Sequence, residues 1–220
     1  MVRCDGVRGS IVGGLGVAVG CLWLQVDPLP ARAQETEAEF PGAVFRMSPH
    51  ADARPQGAVI DTIVLHDTET PGVRKAEVVA RWFLNPASGV SAHYIVGKEG
   101  EVVQCVREAD RAFHAGPSLF RGRSRVNDFS IGIELVNAQT GSDPFTEVQM
   151  QTLVALVKHL CVRWSIPADR VVGHHDVTLR PHLKRDPAPN FPWASFARAL
   201  WTVLPPDLAA GPETLGRRRP

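Results

Sequence analysis

The stretch Val59–His66, VIDTIVLH, decides the fold class of this 220-residue chain. It is rich in β-branched residues, which is typical of a strand, and its last residue is a histidine. Ile131–Val136 has the same character, and Val171-Val172 is a third, shorter strand. A hairpin is predicted further along the chain, with its two strands over His93–Val96 and Glu101–Val106. The central part of the chain is therefore rich in strands.

Helical periodicity is interspersed with these strands. Apolar residues recur at helical spacing between Lys75 and Leu84, and again after Thr146, where Gln149 three residues later predicts a capping box. A last helix is predicted over Trp193–Leu204. Strands with interspersed helices and one hairpin predict an α/β fold, in which a central mixed β-sheet is flanked by α-helices in a single domain.

The first 33 residues have a pattern of their own. Arg3 and Arg8 precede the uncharged run Ile11–Val26, and Ala31-Arg32-Ala33 offers a small-x-small site. This order is typical of a cleaved secretory signal, so we predict a signal peptide over residues 1–33 and a periplasmic or secreted mature chain. An N-terminal anchor is an alternative, and lipoprotein anchoring at Cys21 is a less favoured one. The run is shorter than the roughly 20 residues that a bilayer span needs, and we predict no transmembrane span in the mature chain.

Composition and charge bound the remaining chain. We predict a disordered leader over residues 34–39 and a disordered tail over residues 205–220, which are rich in Pro and Arg. The folded domain is then expected over residues 40–204. The hydrophobic content of 44% and charged content of 21% are those of a globular protein. A formal net charge of +1 lacks the basic excess of a nucleic-acid binder. We expect a monomer that binds no nucleic acid.

Two cysteines, Cys105 and Cys161, remain once the predicted signal peptide is removed. They could pair in an oxidising compartment, although sequence alone does not show that they meet. We interpret both as buried thiols, because Cys105 alternates within a strand and Cys161 lies on the apolar stripe of a helix.

Position distinguishes two of the eight histidines. His66 ends the first predicted strand, His174 follows the Val171-Val172 strand, and Asp186 comes twelve residues after His174. Two imidazoles and one carboxylate, with a fourth position left for water, are the ligand set of a catalytic zinc site. Spacing alone makes this pattern weak, since the chain has no H-E-x-x-H helix.

Six strings of residues strengthen the pattern because of the order in which they occur. They are IVLHDTE (63–69), VSAHYIVGKEGEVVQCV (90–106), FHAG (113–116), NDFSIGIEL (127–135), VVGHHDV (171–177) and KRDPAPNFPW (184–193). In this order they resemble the zinc-dependent N-acetylmuramoyl-L-alanine amidases, the type 2 amidases of the peptidoglycan recognition protein superfamily. The resemblance covers about residues 61–193 and implies the same mixed sheet with flanking helices.

The resemblance assigns roles to five residues at the predicted zinc site. It implies that His66, His174 and Asp186 bind one Zn²⁺ per chain. Glu134 matches the catalytic carboxylate, which would take a proton from water and pass it to the leaving amine. Lys184 matches the lysine beside the metal, where a positive charge would stabilise the developing oxyanion.

The resemblance also implies that His114 and Asn127 line the muropeptide cleft. Two alternatives stay open: His114 as a third or alternative metal ligand, and Glu134 as a structural carboxylate paired with an arginine. The chain departs from relatives in three places, one of which is a loop between His174 and Lys184 that is longer by about two residues. Ala92 stands where some relatives carry a catalytic tyrosine, and the HDTE string places Asp67 beside a predicted ligand.

The function implied by the resemblance is zinc-dependent hydrolysis of one amide bond in peptidoglycan or muropeptides. The bond joins the lactyl group of N-acetylmuramic acid to L-alanine. Two other functions are carried as alternatives: a non-catalytic peptidoglycan-binding recognition module, and a zinc peptidase acting on the stem peptide. Sequence does not choose between polymeric wall and soluble or anhydro muropeptides as substrates.

Overall fold

The computed structural model describes residues 37–209, which contain ten strands, four α-helices and two short 3₁₀ helices. The strands are β1 Val44–Phe45, β2 Ala51–Ala53, β3 Thr62–Asp67, β4 Tyr94–Val96, β5 Val102–Gln104, β6 Asp110–Ala112, β7 Leu119–Phe120, β8 Arg123–Ser124, β9 Ser130–Leu135 and β10 Val171–Gly173. The helices are α1 Ala76–Leu84, α2 Glu147–Trp164, α3 His174–Val177 and α4 Trp193–Val203. None of these helices is both long and apolar enough to cross a bilayer. The predicted signal peptide lies outside the described residues.

Six strands form one sheet in the order β1-β5-β4-β9-β3-β10. All neighbours in it are parallel except β4 and β5, which form the predicted hairpin. The remaining strands pair as β2 with β6 and β7 with β8, both antiparallel. The prediction of an α/β fold with a mixed sheet and flanking helices is confirmed.

The two faces of this sheet are covered differently, because side chains alternate along each strand. Helices α2 and α4 pack on one face, where Ile63, Leu65, Ile131 and Ile133 enter the largest apolar cluster. We call this the helix face. On the opposite face, α1 covers the β4–β5 half, and the rest of that face carries His66 and Glu134. We call it the histidine face.

Helix α2 begins with half of the capping box that the sequence predicts. The Thr146 hydroxyl accepts a hydrogen bond from the Gln149 backbone N–H at 3.2 Å, which satisfies one donor of the first turn. The prediction is wrong for the other half, in which the Gln149 side chain would bond back to the Thr146 backbone. The buried Gln149 amide instead donates to the Val96 carbonyl at 3.0 Å and to the Val136 carbonyl at 3.1 Å, and so ties the helix to the ends of β4 and β9.

The ordered fold extends beyond residues 40–204 at both ends. Glu39 Oε2 accepts from Gln104 Nε2 at 2.6 Å and from the Glu108 backbone N–H at 2.8 Å. At the other end, the Leu208 carbonyl accepts from the Ala168 N–H at 2.9 Å. Residues 37–39 and 205–209 therefore belong to the folded part, and the rest of the predicted leader and tail lies outside the described residues.

Cys105 and Cys161 are free, buried thiols, as the sequence indicates. They lie in separate apolar clusters: Cys161 with the residues of the helix face, and Cys105 with those that pack against α1. Burial raises the pKa of each thiol to about 12, so both stay protonated near neutral pH.

Candidate metal centre and active site

His66, His174 and Asp186 meet at one edge of the sheet. His66 lies near the carboxyl end of β3, and His174 directly follows β10, the parallel neighbour of β3. Asp186 reaches the same place from the loop before α4, and all three residues are buried. Asp186 Oδ2 is 2.8 Å from His66 Nδ1 and 3.0 Å from His174 Nδ1. The predicted ligand residues therefore converge in a group that could hold a metal ion.

The outer nitrogens of the two rings also have partners. His66 Nε2 lies 3.0 Å from His114 Nδ1, and His174 Nε2 lies 3.2 Å from the Ala115 carbonyl oxygen. A carbonyl only accepts, so His174 carries its hydrogen on Nε2. In the neutral ring, Nδ1 then directs a lone pair at a carboxylate oxygen of Asp186. A cation among the three groups would satisfy this arrangement, and the residues present fit a metal ion.

The protonation states of His66 and Asp186 suit a metal site. Burial and the neighbouring His174 lower the pKa of His66 to about 4, which leaves its ring neutral near pH 7. Burial raises the pKa of Asp186, but the contacts with His174 and His66 outweigh this effect and hold the pKa below its usual range. A neutral imidazole and an ionised carboxylate are the forms that bind metals.

Glu134 lies beside His66 on the histidine face. The two residues are register partners in neighbouring parallel strands, so their side chains leave the sheet on the same side. Glu134 Oε2 is buried and has no hydrogen-bond partner. Burial, followed by the charges of Asp186 and Asp67, raises the pKa of Glu134 well above its ordinary value. Within residues 37–209 no arginine forms a salt bridge with it, which favours the catalytic interpretation over the structural one.

Lys184 lies at the exposed rim of the centre. Its Nζ is 3.8 Å from Glu69 Oε1, and both side chains are about half exposed, at 47% and 48%. Its positive charge opposes the rise in the pKa of Glu134 that burial causes. The lysine is therefore within electrostatic range of the buried carboxylate while its ammonium group remains in contact with solvent.

Two side chains that the sequence did not identify as functional hold the Asp186 loop. Asp67 Oδ2 accepts from the Ala188 backbone N–H at 2.6 Å, and His175 Nδ1 lies 2.9 Å from the Asp186 carbonyl oxygen. Burial, with the charges of Asp186 and Glu69, raises the pKa of Asp67 to about 7. The HDTE string was the available signal for Asp67, because it placed a carboxyl group directly after a predicted ligand.

His114 and Asn127 lie behind the three converging residues. The His114 ring is stacked so closely over Gly132 that a Cβ there would lie 2.5 Å from its Cγ. Only glycine leaves space for the ring. The Asn127 side-chain oxygen accepts from the His114 N–H at 3.3 Å and from the Ala115 N–H at 2.8 Å. The structure thus brings both residues close to the centre: His114 contacts His66, and Asn127 holds Ala115, whose carbonyl contacts His174.

The fold and the site together define a class. A mixed sheet with two histidines, one aspartate and a nearby half-buried glutamate at its edge is an arrangement that could hold a metal ion and support hydrolysis in an α/β protein.

Comparison with known proteins identifies the family within this class. Residues 56–189 match the N-acetylmuramoyl-L-alanine amidase family. The 1,6-anhydro-N-acetylmuramyl-L-alanine amidase AmpD of Enterobacter cloacae is 36% identical over 169 residues, which are 70% of this chain and 88% of AmpD. The N-acetylmuramoyl-L-alanine amidase AmiD of Escherichia coli is 40% identical over 124 residues, which are 50% of this chain and 44% of AmiD.

Solved structures agree with the sequence comparison. A crystal structure of a selenomethionine AmpD derivative has a TM-score of 0.64 at 32% identity and covers 76% of this chain and 96% of that one. The complex of Escherichia coli AmiD with anhydro-N-acetylmuramic acid-L-Ala-D-γ-Glu-L-Lys has a TM-score of 0.57 at 33% identity and covers 66% of this chain and 60% of that one. The chain belongs to the N-acetylmuramoyl-L-alanine amidase family, and the predicted family, fold and enzyme class are confirmed.

Proposed function

We propose that this protein hydrolyses the amide bond between the lactyl group of N-acetylmuramic acid and L-alanine, with one Zn²⁺ per chain. The observation that carries the proposal is the convergence of His66, His174 and Asp186 beside Glu134 on one face of the sheet. The names of the AmpD and AmiD relatives support the bond and the substrate class.

The three converging residues would hold zinc through His66 Nδ1, His174 Nδ1 and the Asp186 carboxylate. Two neutral imidazoles and one carboxylate leave a net positive charge on the centre. When bound, zinc supplies Lewis-acid activation and lowers the pKa of water to about 7. The protein's part is to hold the ligands in a buried edge of the sheet, where electrostatic effects are less screened than in water.

Glu134 moves the proton in this proposal. Its carboxylate takes a proton from the attacking water as the water oxygen bonds to the scissile carbonyl carbon, and it returns the proton to the leaving nitrogen as the C–N bond breaks. The products are a free lactyl carboxylate on the sugar and a stem peptide with L-alanine at its amino end. A raised pKa makes Glu134 a stronger base than an exposed carboxylate.

Lys184 supplies positive charge at the rim of the centre. The tetrahedral oxygen gains negative charge as water adds to the carbonyl, and a nearby ammonium group stabilises that charge. Half of the side chain is exposed, so Nζ has room to move from Glu69 toward a bound substrate. The substrate contacts of His114 and Asn127 remain predictions from the resemblance.

We also propose where the protein acts and which forms of substrate it meets. The signal-peptide pattern of residues 1–33 supports a periplasmic or secreted monomer that meets peptidoglycan or its fragments. The 1,6-anhydro sugar in the names of several relatives supports soluble anhydro muropeptides as one substrate form. Polymeric wall is the other form, and the assay below compares the two.

A product-identified digestion tests the proposal. The full-length protein is incubated with 1,6-anhydro muropeptides and with intact sacculi, and the products are identified by mass spectrometry. We expect stem peptides that begin with L-alanine, no product after treatment with a chelator, and recovery on adding Zn²⁺. Products that keep L-alanine on the sugar would identify a stem-peptide peptidase. Binding of muropeptides without cleavage, by a metal-free folded protein, would identify a recognition module.

A further inference from the structure

We propose that residues His114 and Ala115 form a positioning loop that orients both metal-binding imidazoles, and that Asn127 and Ser130 hold this loop in place. His114 acts on His66 through its side chain, and Ala115 acts on His174 through its carbonyl group. This inference rests on the metal centre of the proposed function. It gives His114 and Asn127 a role different from the substrate contact that the family resemblance implies.

A chain of hydrogen bonds with one direction reaches His66. The Ser130 hydroxyl donates to the Val126 carbonyl at 2.7 Å, so its oxygen is free to accept from His114 Nε2 at 3.2 Å. A neutral His114 that carries its hydrogen on Nε2 has an accepting Nδ1. That atom lies 3.0 Å from His66 Nε2 and accepts its hydrogen. His66 Nδ1 is then left with the lone pair that a metal needs.

A second arm of the same loop reaches His174. The Ala115 carbonyl accepts from His174 Nε2 at 3.2 Å, which fixes the hydrogen on Nε2 and turns Nδ1 toward Asp186. Asn127 Oδ1 accepts from the Ala115 N–H at 2.8 Å and so holds the residue whose carbonyl makes this contact. Through two adjacent residues, one loop therefore selects the same tautomer for both rings.

A half-buried arginine ties the two anchors of the loop together. Arg54 donates to the Asn127 carbonyl at 2.9 Å and to the Ser130 carbonyl at 2.9 Å. Burial lowers the pKa of Arg54 to about 10, which leaves the guanidinium charged near neutral pH. A single side chain thus fixes the backbone at both residues that position the loop.

The contacts around His114 determine what it can do. Its two ring nitrogens face His66 and Ser130, and its ring lies against Gly132. Both polar atoms of the ring are therefore engaged within the protein. Partners of this kind fix the orientation of a metal-binding histidine, and their loss typically costs about 10–100-fold in metal affinity.

The first test measures zinc affinity by competition with a chromophoric chelator, on the full-length chain. His114→Asn and His114→Leu form a matched pair of similar size. Asparagine keeps an accepting oxygen where His114 has Nδ1, and leucine does not. We expect the leucine variant to bind zinc about 10–100-fold more weakly than the parent protein and the asparagine variant to retain most of the affinity.

The second test uses Asn127. Aspartate keeps the oxygen that accepts from the His114 and Ala115 N–H groups, and leucine removes it. We expect Asn127→Leu to weaken zinc binding and Asn127→Asp to preserve it. His50→Ala is the control, because the His50 ring forms its hydrogen bond with the Asn85 carbonyl at 2.8 Å and with none of the residues of the proposed loop. Circular dichroism of each variant shows whether it folds, and either matched pair decides the question alone.

Two results would overturn the inference. One is a pair of leucine variants that bind zinc like the parent protein and show only a raised KM, as expected of substrate contacts. The other is equal loss of affinity in the leucine and the acceptor-retaining variants, as expected of packing alone. A parent protein that folds and binds no zinc would instead refute the metal centre of the proposed function, so the two failures are distinguishable.

Discussion

The helix face and the histidine face are built from the same strands but differ in chemistry. Leu65 and Ile133 point into the apolar cluster under α2 and α4, while the next residues, His66 and Glu134, point the other way. On the histidine face, Glu134 Oε2 is buried without a hydrogen-bond partner. Such groups cost free energy on folding, typically about 1–3 kcal/mol each. Apolar packing on the helix face therefore offsets the free-energy cost of the unpaired polar group on the histidine face.

Removing the proton carrier on the histidine face is the largest expected effect. Glu134→Gln keeps the size of the side chain and removes its basicity, so amide hydrolysis should fall by about 10²–10⁴-fold. Zinc content and thermal stability should not fall, because Glu134 is not one of the three converging residues. Hydrolysis and elemental analysis check both points. Unchanged hydrolysis would remove Glu134 from the mechanism.

A cavity on the helix face should instead lower the stability of the protein and leave its metal centre unchanged. Leu156 in α2 is fully buried in the large apolar cluster, and Leu156→Ala should lower the free energy of unfolding by about 2–5 kcal/mol. Denaturant unfolding measures this loss. The zinc affinity of the folded protein should stay the same. Val162→Ala is the control on the same helix, because Val162 is 50% exposed and should change stability little. A loss of zinc affinity in Leu156→Ala would show that the two faces are coupled.

Acid should weaken the histidine face in particular. Burial, with the charge of Arg54, lowers the pKa of His93 to about 3, and His93 Nδ1 accepts from the Gly132 N–H at 2.9 Å. The unfolded chain protonates this histidine below about pH 6.5, whereas the folded state keeps it neutral, so stability falls as the pH falls. This single group contributes about 1.4 kcal/mol per pH unit between about pH 6 and 3.

The matched variant for this effect is His93→Asn, which keeps an acceptor for the Gly132 N–H. Unfolding by denaturant is followed from pH 7 to pH 4 with a chelator present throughout, so that metal release contributes nothing. The slope of stability against pH should be shallower in His93→Asn than in the parent protein. His50→Asn serves as the control at a histidine outside the buried cluster. Parallel slopes for His93→Asn and the parent protein would contradict the prediction.

The smallest expected effect is at the start of α2. Thr146→Ala removes the hydroxyl that accepts from the Gln149 N–H, which should cost about 1 kcal/mol of stability. Thr146→Ser keeps the acceptor and should cost less. Both variants should retain amide hydrolysis, since the cap serves the helix face. A stability loss of the same size in Thr146→Ser would show that packing of the methyl group, and not the cap, is responsible.

The sequence predicted the strands, the helices and the three converging residues more fully than it predicted the contacts around them. His66 lies near the end of one strand and His174 directly follows another, and both strands are recognisable from their β-branched residues. Because the two strands are parallel and end at the same edge of the sheet, the side chains are expected to meet. Asp186 lies in a loop, and only the order of the family strings predicted its place. Asp67 was visible only as a departure from relatives within the first of those strings.

No pattern in the sequence indicated the contacts behind the three converging residues. The role of Ala115 resides in its carbonyl group, which every residue possesses, so no residue type reveals it. Gln149 matched the capping-box pattern, yet its amide bonds to Val96 and Val136, because the neighbouring strand ends offered buried carbonyls. Such choices depend on which segments meet in three dimensions, and local spacing does not contain that information.

Gly132 has a consequence for anyone who would transplant this centre to another protein. The His114 ring occupies the volume where any other residue at this position would carry its Cβ. Suppose that a recipient sheet reproduced His66, His174, Asp186 and Glu134 but kept a side chain at the position of Gly132. That side chain would push the His114 ring away from His66. The minimal graft therefore includes an empty position in the middle of a strand, in addition to the residues that act.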